Sequence, residues 1–325
     1  MTHKVVAWIP SGTRADPSAR LRAFEIADAL GSTCGVVNLF PPLKPEIPPG
    51  TVVLQKVCSK EALDFGASMQ SQGSRIVYDV CDPVWMQEDV NRRRSWFPDD
   101  AIRIADMVTV PTPAMEAAVQ KRYGDLNCMV IPDSVDLNSP ELRFPRKHRD
   151  VSSLTVGWFG TAGNIACLRM ILPALQAAHQ ESRLVLRIIS APIDGMIAAL
   201  PGIPVDFRQW TLEDSSLLLK ECDVVVMPVP LNEWTATKSS NRLQLSLALG
   251  IPPVISPLSS YMELLEGDEG SAMVARTGND WLRHLRSLRV TTLRQTLADR
   301  GRVLVEKKCQ LSTFIGRWAI ALQVA

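Results

Sequence analysis

Five consecutive residues in the second half of the sequence have side chains suited to binding phosphate. Lys238 and Arg242 flank Ser239, Ser240 and Asn241, which are small and polar. At the start of a helix, free backbone N–H groups and two cations would suit a diphosphate, with lysine as a point charge and arginine as a fork. The alternative is an ordinary helix cap facing solvent. We predict that this run binds phosphate.

The position of this run along the chain supports the prediction. The run follows Asp223–Val229, an apolar stretch typical of a buried parallel strand, and opens a helical pattern that ends at Gly250. Open α/β sheets bind ligands at the carboxyl ends of their strands. We therefore expect the run to lie at such an edge.

Other residues that follow predicted strands of the second half can complete a nucleotide site. Gly160 allows close approach of the backbone, while Thr161 and Asn164 can donate hydrogen bonds or cap the next helix. Trp210 is either a flat wall for a nucleobase or a half-buried core aromatic. An ordinary strand-to-helix turn is the alternative for the glycine loop.

The first half offers arginines and carboxylates after its predicted strands. Arg20 and Arg22 open the first helix and either face a substrate or lie on the surface. Asp79 and Asp82 end another strand and can act as a base, as hydroxyl ligands or as a metal clip, or they can form a turn. The spacing of the two carboxylates does not match a metal motif.

Composition excludes several classes of protein. The 325 residues carry a net charge of +1, from 35 basic and 34 acidic residues, so no global field attracts nucleic acid. The 7 cysteines are scattered without a CxxC, and with only 4 histidines a zinc site is not expected. Free thiols in a reducing cytosol are the favoured interpretation. No apolar run is long enough to span a membrane, and we expect no signal peptide.

Short β-rich runs alternate with helical patterns through most of the chain, which predicts parallel sheets flanked by helices. The predicted strands are 5–9, 35–40, 51–56, 75–80, 107–111, 129–132, 154–159, 184–189, 205–210, 224–229, 253–256 and 272–275. The predicted helices are 18–30, 60–72, 113–123, 164–180, 193–200, 213–221, 238–249 and 259–266, with further helical patterns over 280–325.

The alternation stops over residues 139–153, which are rich in proline and basic residues, as expected of a linker. We therefore predict an α/β protein with two Rossmann-like domains in series and a cleft between them. The predicted domains are 1–145 and 146–310, and a closing helix occupies 311–325.

Several segments, in this order, resemble bacterial nucleotide-sugar glycosyltransferases of the GT-B fold, in the broad group labelled family 1 or 4. The matching segments are 18–22, 77–82, 105–112, 130–136, 156–160 and 238–256. The resemblance implies an acceptor domain, a donor domain that holds a nucleoside diphosphate sugar, and a terminal helix that returns to the first domain. Many members of this family retain the anomeric configuration of the transferred sugar and work without a bound metal.

Two positions depart from the family pattern. Retaining members carry two glutamates before the glycine that ends this helix, and Thr237 and Leu245 occupy those positions here. The arginine and lysine that relatives often place after the first strand of the donor domain are also missing, because residues 160–163 are Gly-Thr-Ala-Gly. Lys238 and Arg242 are the nearest cations in sequence that can replace them and stabilise a leaving diphosphate.

The sequence therefore predicts a cytoplasmic glycosyltransferase, retaining rather than inverting, that moves a sugar from a nucleoside diphosphate sugar to a hydroxyl of a glycan or lipid-linked acceptor. The expected pathway is synthesis of a cell-surface polysaccharide or glycoconjugate. In this interpretation residues 238–242 hold the diphosphate, Arg20 and Arg22 face the transferred group, and Asp79 or Asp82 handles the acceptor hydroxyl.

Besides the nucleotide sugar, no cofactor, metal or nucleic-acid partner is expected. The basic and aromatic run 92–97 predicts either a solvated face or peripheral contact with the inner face of the membrane. A non-catalytic binding or partner subunit and a sugar-nucleotide epimerase are the alternative functions.

Overall fold

The computed structural model describes residues 5–31, 34–44, 47–86, 96–192 and 200–324. These residues divide into two compact units. Unit 1 contains the described residues up to Ser134, together with Ala236–Ser239 and the residues from Leu311 onward. Unit 2 contains Val135–Thr235 and Ser240–Gln310.

Unit 1 is built on a sheet of parallel strands in the order β2-β1-β3-β4-β5-β6. The strands are β1 (Val5–Pro10), β2 (Gly35–Asn38), β3 (Thr51–Gln55), β4 (Arg75–Asp79), β5 (Met107–Val110) and β6 (Cys128–Val130). Central strands such as β3 and β5 are buried at every position, as expected when helices cover both faces of a parallel sheet. The register pairs Gln55 with Asp79 and Asp79 with Thr109. Three polar residues therefore lie next to one another at the carboxyl edge of this sheet.

The helices of unit 1 connect these strands. They are Pro17–Ala19, the π-helical turn Arg20–Phe24, Glu25–Leu30, Lys60–Ser71, the 3₁₀ turn Val84–Met86, Pro98–Ile104, Pro113–Tyr123 and the C-terminal helix Leu311–Ala321. Side-chain caps fix two of their starts: the hydroxyl of Ser59 accepts from the N–H of Ala62 (3.3 Å), and that of Thr112 accepts from Met115 (3.0 Å).

The C-terminal helix packs within unit 1, the placement that the family resemblance implies. The rings of Trp318 and Trp8 lie 5.6 Å apart, and both side chains are buried. The hydroxyl of Thr51 donates to the carbonyl of Leu322 (2.9 Å). Aromatic burial and a buried hydrogen bond thus hold the end of the chain on strands near its beginning.

Unit 2 has a second parallel sheet, in the order β12-β11-β10-β7-β8-β9. Its strands are β7 (Leu154–Phe159), β8 (Leu184–Ser190), β9 (Val205–Gln209), β10 (Val224–Met227), β11 (Pro253–Ile255) and β12 (Met273–Val274). Its helices are Leu172–Glu181, Ser215–Lys220, Glu233–Ala236, Asn241–Ala248, Ser259–Leu265, Gly278–Ser287 and Thr291–Lys308, with 3₁₀ segments at Ala162–Ile171 and Glu269–Ser271. Ala236 ends the third of these helices and itself belongs to unit 1.

The predicted α/β architecture is confirmed, and each predicted strand has a counterpart. The helix predicted over 164–180 begins as a 3₁₀ segment and becomes α-helical only at Leu172. The helix Pro98–Ile104 was not predicted, because it is short and its apolar pattern is weak. The helix predicted over 193–200 falls on residues outside the described ranges, except for Leu200.

Gly250 ends the helix that begins at Asn241, with φ of 72°. A Cβ atom there would lie 2.9 Å from Cβ of Pro145 and 3.1 Å from the backbone nitrogen of Arg146. Both the left-handed backbone and the close approach of residues 145–146 therefore require glycine. The carbonyl of Gly250 also lies 2.9 Å from Nε2 of His148, which fixes this segment against the end of the helix.

The contact of His148 predicts a pH dependence of stability. Burial lowers the pKa of His148 to about 4, although the hydrogen bond to Gly250 opposes this shift. Between about pH 4 and about 6.5 the unfolded chain binds a proton at this imidazole and the folded protein does not. The contribution of His148 to stability is thus present above about pH 6.5 and is lost as the pH falls towards 4. Urea titrations across this range should show a stability slope that diminishes in His148→Gln, and an unchanged slope would contradict the assignment.

Candidate functional site

The buried guanidinium of Arg22 connects the carboxyl ends of neighbouring strands in unit 1. It lies on the π-helical turn, and its Nε and Nη2 atoms donate to Asp79 at 2.7–3.0 Å. Nη1 donates to the carbonyl of Ile131 and to Oδ1 of Asp133, each at 2.9 Å. The hydroxyl of Thr109 donates to Oδ1 of Asp79 (2.7 Å). This arrangement satisfies the cation and Asp79 inside the protein, which makes the burial of their charges tolerable.

These contacts differ from the roles that the sequence suggested for Arg22 and Asp79. Arg22 is 1% exposed and Asp79 is 0% exposed, so neither side chain faces a substrate in this structure. Arg22 lies about one turn into the first helical segment, and from there its side chain reaches the ends of the strands. The sequence pattern alone does not reveal this reach. Arg20 is only partly buried, with its Nε 3.7 Å from Oε1 of Glu25 and its Nη1 bonded to the carbonyl of Arg14 (3.2 Å).

Asp82 lies between two lysines of unit 1. Nζ of Lys56 is 2.5 Å from Oδ2 of Asp82, and Nζ of Lys238 contacts Oδ1. Burial alone would raise the pKa of Asp82, but the two ammonium groups lower it below its usual value. Asp82 is therefore a stable anion in an ion-pair cluster, which makes it a weak general base.

Lys238 and Arg242, which the sequence assigned to one phosphate site, have different partners in the structure. Although only three residues separate them, Lys238 belongs to unit 1 and pairs with Asp82, whereas Arg242 belongs to unit 2. Ser239 is also in unit 1, where its hydroxyl donates to Oδ2 of Asp133 (2.6 Å). In the structure Lys238 therefore contacts Asp82, a residue that the sequence suggested would handle the acceptor hydroxyl.

Two residues of this cluster, Asp133 and Thr112, were not predicted as site residues. Both lie in segments that carry the family resemblance, but their types alone gave no role. The hydroxyl of Thr112 donates to the carbonyl of Thr237 (3.1 Å), and Thr237 is 3% exposed. Only the fold shows that these side chains contact the segment 236–239.

Arg242 is the outstanding charged group of unit 2. It is the second residue of the helix Asn241–Ala248, and its Cζ lies 5.0 Å from the ring centre of Phe159 and 5.6 Å from that of Trp158. Its Nε and Nη2 atoms are shielded from solvent, and no described residue accepts a hydrogen bond from them. Burial lowers the pKa of Arg242, partly offset by Tyr261 and Cys167, but an arginine stays charged at neutral pH.

The glycine loop after β7 adjoins this guanidinium. A Cβ atom on Gly160 would lie 3.7 Å from Cζ of Arg242, whereas one on Gly163 would have no described atom within 4 Å. Thr161 and Asn164 are exposed, and Nδ2 of Asn164 donates to Oγ1 of Thr161 (2.9 Å). The loop therefore leaves its backbone accessible next to a cation with unsatisfied donors, which is the arrangement an anion needs.

The remaining predicted residues have more ordinary surroundings. Ser240 precedes the helix as its cap residue, but its hydroxyl accepts from Nε2 of Gln244 (3.0 Å) and not from the backbone. Asn241 is the first residue of that helix and is partly buried. Trp210 is partly buried against the core of unit 2, and its backbone N–H donates to the carbonyl of Ser190 (2.8 Å). Leu245, at a position where the family resemblance implies glutamate, packs against the same core.

The described residues contain no group of three or more histidine, cysteine, aspartate or glutamate residues that can hold a metal ion. No helix among them has the length and apolar character to cross a membrane. The arginines of the run 92–97 lie outside the described ranges.

Solved structures of glycosyltransferases share this architecture over most of the chain. Anabaena HepE, solved with UDP and glucose, superposes with a TM-score of 0.70 at 16% identity, over 99% of each chain. WaaG, described as a glycosyltransferase involved in lipopolysaccharide biosynthesis, has a TM-score of 0.65 at 12% identity, over 98% of this chain and 99% of its own.

A third structure, TarM of S. aureus, has a TM-score of 0.64 at 9% identity. The match covers 84% of this chain but 54% of TarM, so the chain spans about half of that protein. No family model and no curated protein matches the sequence. At these identities the likeness shows the fold, which is the GT-B fold with its two Rossmann-like units.

Proposed function

We propose that the chain is a glycosyltransferase that uses a nucleoside diphosphate sugar. The observation that carries this proposal is the guanidinium of Arg242, which is positioned at the start of a helix with buried donors that no described residue accepts. Leaving such donors unsatisfied is costly, and an anionic ligand removes that cost. The fold supports the same class of ligand, because HepE was solved with UDP and with UDP-glucose.

In this proposal Arg242 binds the diphosphate and stabilises the negative charge that develops as the sugar leaves. The accessible backbone around Gly160 and Gly163 lets the phosphates approach, and Thr161 and Asn164 supply further donors. Trp210 borders the base. The proposed phosphate site does not include Lys238, because the ammonium group of this residue pairs with Asp82.

The acceptor is proposed to be a hydroxyl of a glycan or lipid-linked saccharide, as in cell-surface polysaccharide synthesis. WaaG, with nearly the same chain coverage, is described as acting in lipopolysaccharide biosynthesis, which supports this class. All of the cysteines are free thiols, which supports a reducing cytoplasmic location.

Calorimetric titration with UDP tests the donor proposal directly. We expect the protein to bind UDP and to release it upon competition with a UDP-sugar. A protein that binds no nucleoside diphosphate would instead support a non-catalytic binding or partner subunit, an alternative that Thr237 and Leu245 in the glutamate positions favour.

We further propose that transfer retains the anomeric configuration. Inversion needs a base that takes the proton of the acceptor hydroxyl. The carboxylates that the sequence offered for this task, Asp79 and Asp82, are both held in ion pairs. NMR of the product formed from an α-linked donor should therefore show an α-glycoside, and a β-glycoside would contradict retention.

A further inference from the structure

The segment Ala236–Ser239 belongs to unit 1, although the chain on either side of it belongs to unit 2. Three consecutive residues of this segment are held by side chains near the carboxyl edge of the unit 1 sheet. Thr237 accepts from Thr112, Lys238 pairs with Asp82, and Ser239 donates to Asp133. Three separate contacts therefore hold this segment to unit 1.

The groups that hold the segment are themselves fixed. Oδ1 of Asp133 accepts from Arg22 (2.9 Å), which leaves Oδ2 pointing at Ser239. Oδ2 of Asp82 is 2.5 Å from Nζ of Lys56, which leaves Oδ1 for Lys238. Each carboxylate therefore has a second partner within unit 1 that sets its orientation.

The charges of this cluster balance, and its backbone is strained at one residue. The cations Arg22, Lys56 and Lys238 face the carboxylates of Asp79, Asp82 and Asp133. Lys56 has φ of 60°, which is unusual for a residue other than glycine and persists only where the surroundings enforce it. A cluster that tolerates strain and binds a distant segment is suited to positioning.

We propose that Asp133 and Asp82 are positioning residues for the donor site. By fixing Ser239 and Lys238, they restrict the chain just before Ser240, from which the helix that carries Arg242 begins. This inference rests on the proposed function, because it assigns these carboxylates an effect on nucleotide affinity. Neither carboxylate needs to contact the nucleotide.

The experiment compares UDP affinity with local amide exchange in the full-length protein. Ser239→Ala removes the hydrogen bond to Asp133, and Asp82→Asn weakens the pair with Lys238. We expect faster hydrogen exchange over residues 236–242 and about fivefold weaker UDP binding for each variant, since one charge-assisted hydrogen bond no longer restricts the segment. Ser239→Thr keeps a hydroxyl and should restore both properties.

The control is Ser287→Ala, which removes a hydroxyl that donates to the carbonyl of Arg283 in a solvent-exposed hydrogen bond. It should change neither property. Faster exchange in Ser239→Ala with the UDP affinity of the parent would overturn the positioning role while leaving Arg242 as the donor residue. A parent protein that binds no UDP would overturn the proposed function itself. UDP binding by the parent protein is therefore measured before that of any variant.

Discussion

Replacing Arg242 by methionine should weaken UDP binding by about 100-fold, or about 2.8 kcal/mol. Methionine keeps much of the apolar stem that packs near Trp158 and Phe159 but removes the guanidinium, which has shielded nitrogens without a described acceptor. Charged hydrogen bonds in a desolvated site contribute 2 kcal/mol or more, so the loss should exceed that of any surface cation. Isothermal titration calorimetry with UDP measures it.

Two variants make this result specific. Arg242→Lys keeps the charge but loses the planar fork, and it should bind UDP with intermediate affinity. Arg169→Met removes an exposed arginine of the same unit and should bind like the parent. The folded state of Arg242→Met should be at least as stable as that of the parent, because the substitution removes a cation with unsatisfied donors. Full UDP affinity in Arg242→Met would refute the donor site.

Replacing Arg22 by methionine should destabilise the protein by about 3–5 kcal/mol. The substitution leaves Asp79 (0% exposed) and Asp133 (5% exposed) without their cation in the interior of unit 1. Burying an unpaired carboxylate costs far more than the ion pair contributes, which explains the size of the effect. Urea denaturation followed by circular dichroism measures the change.

The chain contains a matched control for this prediction. Arg14 and Asp28 form a similar two-pronged pair, at 2.8 and 2.9 Å, but their side chains are 49% and 59% exposed. Arg14→Met should therefore cost 1 kcal/mol or less. Equal effects of Arg14→Met and Arg22→Met would show that burial does not decide the contribution of Arg22.

Much of the fold was predictable because parallel strands buried on both faces need unbroken apolar runs. The stretch Asp223–Val229 illustrates this: its central residues form β10, and each of them is buried. The 3₁₀ segment Ala162–Ile171 was harder to predict, because its apolar residues also fit the period of an α-helix. The sequence does not show which backbone hydrogen bonds form in such a segment.

The sequence predicted part of the arrangement of the candidate site, whose role stays a prediction. Arg242 and the loop at Gly160 lie next to each other, as expected for residues that follow a strand or begin a helix at one edge of a sheet. The structure does not support the expected roles of Asp79 and Arg22, because both side chains are buried inside unit 1. Sequence position places a residue near a sheet edge but does not say which partner its charge finds.

The sequence by itself determined the two Rossmann-like units and the glycine at position 250. These features depend on local propensity, on the period of the apolar residues and on backbone freedom, which are all set by residues that are close together in the sequence. Only the tertiary structure decided that Lys238 pairs with Asp82 while Arg242 keeps unsatisfied donors. The physical reason is that the pairing of charges depends on carboxylates more than 100 residues away, which the fold alone brings within hydrogen-bond distance.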